Sequence, residues 1–87
     1  MYKIYKHTVA DGRVYIGITG QQPEYRWNSG KGYANNQPFF SVIVAEGWNN
    51  IKHEILEEVS TLEEAKRKEA EYILQYKSHL SAYGFNV

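Results

Sequence analysis

Two short runs near the N-terminus alternate apolar and polar positions. In Arg13-Val14-Tyr15-Ile16-Gly17-Ile18-Thr19, strand periodicity puts Val14, Ile16 and Ile18 on one face and Arg13, Tyr15, Gly17 and Thr19 on the other. In Tyr2-Lys3-Ile4-Tyr5-Lys6-His7, Tyr2 and Ile4 share one face and Lys3, Tyr5 and His7 the other. A register that joins Ile4 to the Val14/Ile16/Ile18 face also brings Tyr5 to the Tyr15 face, and a one-residue slip breaks both matches. Asp11-Gly12 between the runs signals a hairpin, with residues 8–12 supplying a connection longer than two residues. The pattern predicts a polar face that carries two phenols.

Beyond the hairpin, Gly20-Gln21-Gln22-Pro23 breaks the strand, and Pro23 suits the first turn of a short helix through Trp27. Residues 28–36 are rich in turn formers and read as a flexible surface loop. Gly30-Lys31-Gly32 lacks the Ser/Thr and spacing of a phosphate-cradling loop, so it carries little weight as a nucleotide site. The run Phe39 to Glu46 is predicted helical, with Asn36 as N-cap, Pro38 early and Gly47 as terminator, against the preference of its β-branched residues. Trp48-Asn49-Asn50 is a turn, and Ile51 to Val59 a third strand. There Ile51, His53 and Ile55 share a face and Leu56 lies opposite, an imperfect alternation that suits a sheet partly covered on both sides. Thr61 and Glu64 fit a capping box that opens a helix to Lys77 or Ser78. Its inward stripe is Leu62, Ala65, Tyr72, Ile73, Tyr76 and Leu80, with Glu69 in the middle. Tyr83 to Val87 returns apolar groups to the body, with Asn86 among them. These elements predict one α/β domain over 1–87: a small three-stranded, mostly antiparallel sheet flanked by about three helices.

Composition narrows the class. Ten Lys plus Arg balance ten Asp plus Glu, so any anion-binding surface must be local. The cations Lys3, Lys6, Arg13, Arg26 and Lys31 face only Asp11 and Glu24 before Glu46, which makes the N-terminal half the expected anion-binding side. There is no cysteine, hence neither disulfide nor thiolate metal site. No apolar run approaches the roughly 18 residues of a membrane span, and the expectation is a soluble, cytoplasmic protein.

Glu69 and Arg26 are the charged candidates. An inward Glu69 either pairs with a core cation or faces a cleft as an oxygen ligand for a hard divalent ion, Mg2+ or Mn2+. Arg26 is either a surface cation or partner of Glu69, or a bidentate contact for phosphate. The two roles assign opposite electrostatics to Glu69. Tyr5 and Tyr15 are either packing groups or orient and deprotonate a water, but a phenol with a pKa near ~10 is a poor base at neutral pH. That role needs a cationic neighbourhood or a proton relay, for which His7, Lys3 and Lys6 are nearby.

Ile4-Tyr5, then Tyr15-Ile16-Gly17, Arg26, Glu69 within Glu-Ala-Glu-Tyr-Ile, and a terminal Gly-Phe-Asn together resemble the GIY-YIG nuclease domain over essentially the whole chain. Arg-Trp, Gly-Lys-Gly-Tyr, Gly-Trp-Asn-Asn and His-Glu-Ile-Leu-Glu-Glu resemble phage and mobile-element members, related to intron homing endonucleases and to the excision-repair nuclease module. The resemblance implies hydrolysis of a DNA phosphodiester with one divalent metal on Glu69. Tyr5 and Tyr15 would position or activate water, and Arg26 would stabilise the transition state. Lys6, Arg26, Lys31 and Asn86 are the expected nucleic-acid contacts. Lys3 stands where the first motif has glycine, and Pro38 where many members have a histidine that assists proton transfer, so His7 or a tyrosine is the substitute base. DNA is the expected partner, with a separate DNA-binding domain, a partner protein or a homodimer supplying specificity, and no membrane. The rival reading is a DNA-binding or protein-interaction module that keeps the fold with little cleavage.

Overall fold

In the computed structural model, which describes residues 1–86, Tyr2–Thr8 (β1), Val14–Thr19 (β2) and Lys52–Val59 (β3) form one antiparallel sheet in the order β2-β1-β3. The hairpin has the facing that its alternation predicts: Ile4 opposes Ile18, Tyr5 opposes Gly17 and His7 opposes Tyr15. On the other side of β1, Tyr5 opposes Ile55 and His7 opposes His53, with a bulge between the Ile4/Glu57 and Tyr5/Ile55 pairs. The bulge leaves Leu56 unopposed, a local cause for the broken alternation of β3.

The face expected to be polar is a second core. Ile4, Val14, Ile16 and Val59 pack on Ala65 of Leu62–Tyr76 (α3), with Tyr72, Ile73 and Tyr76 beside them. On the opposite face Tyr5 packs with Val9, Trp27, Tyr33, Phe39, Ile43, Ile51 and Phe85, and Tyr5 and His7 are 1% and 0% exposed. Period-two alternation separates two faces without saying which one meets water. Here the cover comes from Pro23–Trp27 (α1), Gln37–Glu46 (α2) and the stretch between them. That stretch is not the open loop its composition suggests: Asn28–Tyr33 forms 3-10 turns with Gly30 and Tyr33 buried.

The helix ends follow their capping chemistry. The Phe39 amide donates to Asn36 Oδ1 at 3.4 Å, and the Gly47 amide closes α2 on the Ile43 carbonyl. The Glu64 amide donates to Thr61 Oγ1 at 3.1 Å. Leu62 and Leu80, expected in the buried stripe, are instead 43% and 45% exposed. α3 ends at Tyr76, where Lys77 turns left-handed, so Leu80 lies beyond the helix, and Leu62 is its first residue. Among the described residues no helix is long and apolar enough to cross a membrane.

The free edge of β2 is closed by the C-terminal segment. The Val14 amide donates to the Tyr83 carbonyl, and the Phe85 amide to the Val14 carbonyl. The Asn86 side chain then acts as the next backbone unit: the Ile16 amide donates to Oδ1 at 2.8 Å, and Nδ2 donates to the Ile16 carbonyl at 2.7 Å. A strand edge covered in this way cannot template pairing with another chain. Val87, expected to fold back with this segment, lies outside the described residues. Asn86→Ala would strand two polar groups of fully buried Ile16. The expected cost in urea unfolding is about 2–3 kcal/mol; an unchanged midpoint would show that the clamp contributes nothing.

Candidate active site

Register and bulge place the chemistry on the sheet face covered by α1 and α2. Tyr15, His7 and His53 form one cross-strand row, and Gly17, Tyr5 and Ile55 the next. A Cβ on Gly17 would collide with the Tyr5 phenol oxygen, so this glycine lets the Tyr5 ring lie flat across β2. Tyr15 stacks on Phe39 with ring centroids 5.1 Å apart. It lines a cleft of about 310 Å³ with Arg26, Gly32, Tyr33, Asn35 and Asn36.

Arg26 is aimed by two contacts. Its Nη1 donates to the Gly32 carbonyl at 2.8 Å, and the guanidinium lies over the Tyr33 ring at 4.7 Å. A side chain at Gly32 would meet the Arg26 carbonyl, so this glycine permits the loop to close on the arginine. One donor is thus held while others of the guanidinium remain for a ligand in the cleft.

Burial raises both motif phenols, Tyr15 to about 12, and each feels Arg26 pulling its pKa down and Glu69 pushing it up. The four groups therefore share one electrostatic neighbourhood. Glu69 itself is half-buried, and burial raises its carboxyl above the usual range, with Lys66 as the moderating cation. Among the described residues it has no ion pair, so the core pairing with Arg26 is not formed.

Beneath the phenols runs a polar chain. The hydroxyls of Tyr5 and Tyr33 are 3.0 Å apart, and Tyr33 Oη is 2.8 Å from His7 Nε2. His7 Nδ1 lies 2.9 Å from His53 Nδ1, and His53 Nε2 is 3.0 Å from the Trp48 carbonyl. The rings of Tyr5, Trp27, Tyr33, Trp48 and His53 enclose His7 at centroid distances of 4.8 to 5.3 Å. Burial, then the neighbouring His53 and Arg26, hold its pKa down at about 3, so it is neutral at physiological pH.

The structure thus brings Tyr5, Tyr15, Arg26 and His7 to one sheet face, while Glu69, on α3, acts on the two phenols electrostatically and is not among the residues lining the cleft. Lys31 is exposed one residue before Gly32, beside the cleft. Lys6, expected to touch nucleic acid, belongs to the opposite face, where it pairs with Glu54 at 3.3 Å and donates to Tyr76 Oη at 3.4 Å. Alternation from Tyr5 already puts it there. The amide of Asn86 is taken up by Ile16, which gives it a task in holding β2. Sequence reasoning gave no role to Tyr33, Trp48 or His53. Tyr33 closes the Gly-Lys-Gly-Tyr stretch, and His53 shares the Ile51/Ile55 face, but their convergence needs the tertiary fold.

Among the described residues no group of three or more His, Asp or Glu forms a ready metal cage. The donor set nevertheless fits a hard cation of the Mg2+ type, which is held by one or two carboxylates and keeps waters and substrate phosphate as its other ligands. An unpaired, half-desolvated Glu69 is such a carboxylate.

Residues 1–83 match the family model of the GIY-YIG catalytic domain. No curated protein and no solved structure among those compared with the chain matches it.

The neutral His7 makes a prediction about acid stability. Its unfolded pKa of ~6.5 exceeds its folded value, so the unfolded chain binds the extra proton and stability falls as pH drops from about 6.5 toward about 3. The full contribution has an upper bound of about 5 kcal/mol. Urea unfolding across this window should show a steeper pH slope in the wild type than in His7→Gln, and equal slopes would contradict a neutral buried His7.

Proposed function

The chain belongs to the GIY-YIG catalytic-domain family, a family of nucleases, and we propose that it is a divalent-metal-dependent endonuclease domain that hydrolyses DNA phosphodiester bonds. The observation that carries this reading is the separation of Arg26 from Glu69. An arginine and a carboxylate act electrostatically on the same two phenols without forming an ion pair with one another. Arg26 is instead held by Gly32 and Tyr33. A structural ion pair would have closed; an open pair suits two ligands of opposite sign, a cation at Glu69 and a phosphate at Arg26.

The roles then follow from position. A hard divalent cation held by Glu69 would supply Lewis-acid charge at the scissile phosphate. Arg26 meets the non-bridging phosphate oxygens with its remaining N–H donors and stabilises the charge that grows on them. Tyr15, at the wall of the cleft, donates its hydroxyl to a phosphate oxygen or to the attacking water. Tyr5, one row further along the sheet, orients that water, and because burial keeps both phenols protonated neither starts as a phenolate. Lys31 gives the cleft an exposed cation for the adjoining backbone. The zero net charge supports the second reading, a DNA-binding module with little cleavage. It also favours a partner domain, partner protein or second copy as the source of affinity and site preference.

Nicking of supercoiled plasmid at low salt, with Mg2+ or Mn2+ and with chelator, tests the proposal. Wild type should nick only with metal. Glu69→Gln should fall to the chelator level with a thermal midpoint unchanged or raised, because a desolvated carboxylate without a partner is removed. Arg26→Ala should lose about 10²–10³-fold in rate. Wild-type DNA binding without nicking would favour the binding module, and a large stability loss in Glu69→Gln would favour a structural carboxylate.

A further inference from the structure

The hydrogen-bonded chain beneath Tyr5 has a direction that its far end dictates. The Trp48 carbonyl can only accept, so His53 Nε2 carries a proton. A neutral His53 then has a bare Nδ1, and the 2.9 Å contact to His7 Nδ1 requires the proton on His7. Neutral His7 in turn has a bare Nε2, which accepts from the Tyr33 hydroxyl at 2.8 Å. Either phenol can give the proton of the Tyr5–Tyr33 contact, and with Tyr33 committed to His7 it must be Tyr5 that gives it. Every donor is used once, and the lone pairs of the Tyr5 oxygen are left over. Among the described residues, the Trp27 indole N–H is buried with no partner within hydrogen-bonding distance, yet is close enough to ease ionisation of Tyr5.

Resting on the nuclease reading, we propose that Tyr5 works as the mouth of a proton relay, in which Tyr33 and His7 carry the proton of the attacking water inward and His53 receives it. The water gives a proton to the Tyr5 oxygen as its own oxygen bonds to phosphorus. Tyr5 passes its original proton to Tyr33, Tyr33 to His7 Nε2, and His7 its Nδ1 proton to His53 Nδ1. The Tyr5–Tyr33 hydrogen bond now runs from Tyr33 to Tyr5, His7 is neutral in its other tautomer, and His53 is an imidazolium. The departing alkoxide takes a proton from water in the cleft, and the proton stored on His53 returns along the same path to the hydroxide so formed. No phenolate is needed at any stage. The difficulty that a raised phenol pKa poses for a tyrosine base disappears, because the group that finally accepts the proton is an imidazole.

His53 is the suitable terminus. It is only partly buried, and its second N–H remains bonded to the Trp48 carbonyl, which favours the cation. His7 on β1 is the titratable group facing it, and stays neutral. From α1, Arg26 acts on His7, and the flanking Lys52 and Glu54 of β3 belong to the opposite sheet face, where Glu54 pairs with both Lys52 and Lys6. Tyr33, His7 and His53 act on the reaction through Tyr5, as relay residues.

Two measurements test the relay together. The first is the 15N spectrum of the imidazoles in the metal-free wild type, expected to show the Nε2–H tautomer at His53 and the Nδ1–H tautomer at His7. The reverse assignment at either ring overturns the relay. The second is single-turnover nicking from about pH 5 to about pH 9 by wild type, Tyr33→Phe and His53→Gln, with DNA affinity and thermal midpoint measured alongside. Glutamine can accept from His7 and donate to Trp48 but cannot store a proton. Both variants should lose at least about 100-fold in rate at unchanged DNA affinity, and lose the acid limb that burial places below the ordinary imidazole range in the wild type. Wild-type rate and pH profile in His53→Gln overturn the relay while leaving the nuclease reading intact. A wild type that binds DNA and never nicks overturns the nuclease reading, and the relay's role with it.

Discussion

A pair of imidazoles sharing one proton inside an aromatic core is the constraint on which the site depends. His7 is fully buried among rings, and a cation there would go uncompensated. It stays neutral, and a neutral imidazole in such a place must have both nitrogens satisfied. His53 and Tyr33 satisfy them, and each can do so only if the sheet register, the bulge in β3 and the turn at residues 28–33 are all in place. One pair of hydrogen bonds therefore ties β1, β3 and the covering loop to a single geometry. The cost of burying these polar groups is a specification: few other packings of the same aromatic residues would close the chain.

The two faces of the sheet divide the work. Aliphatic packing of Ile4, Val14, Ile16 and Val59 under α3 supplies a core of ordinary type. The opposite face holds phenols, indoles and imidazoles whose polar atoms must be partnered or aimed at a ligand. Arg26, on α1, belongs to this face, whereas Glu69 is carried by α3, which packs on the other, and both act electrostatically on Tyr5 and Tyr15. Gly32 and Tyr33 hold the arginine at the cleft, and it forms no ion pair with Glu69.

Much of this was legible in the residues, for definable reasons. Hairpin pairing followed from Ile4, Tyr5, Tyr15 and Ile16, since only one register satisfies both faces, and the caps at Asn36 and Thr61 followed from their hydrogen-bonding chemistry. Glu69 stood out because a carboxylate interrupts an apolar stripe. What failed was long-range. Alternation gives Tyr5 and His7 a common face without revealing its aromatic cover, so the face expected to be polar is a core. Turn composition conceals the burial of Tyr33, helical periodicity does not show that α3 stops before Leu80, and Lys6, expected to touch nucleic acid, is directed to the other face by its position in β1. The chain from Tyr33 to His53 joins residues far apart in sequence and has no local signature.

In the proposed function, Glu69 is an open cation ligand acting with the motif tyrosines. Titration of the 15N-labelled protein with substoichiometric Mn2+ tests this most directly, through paramagnetic broadening of backbone amides. The expected result is broadening centred on Glu69 and the facing segments around Tyr5 and Tyr15, abolished in Glu69→Gln. Broadening centred on the acidic stretch Glu54 to Glu58, or unchanged by that substitution, would contradict the account.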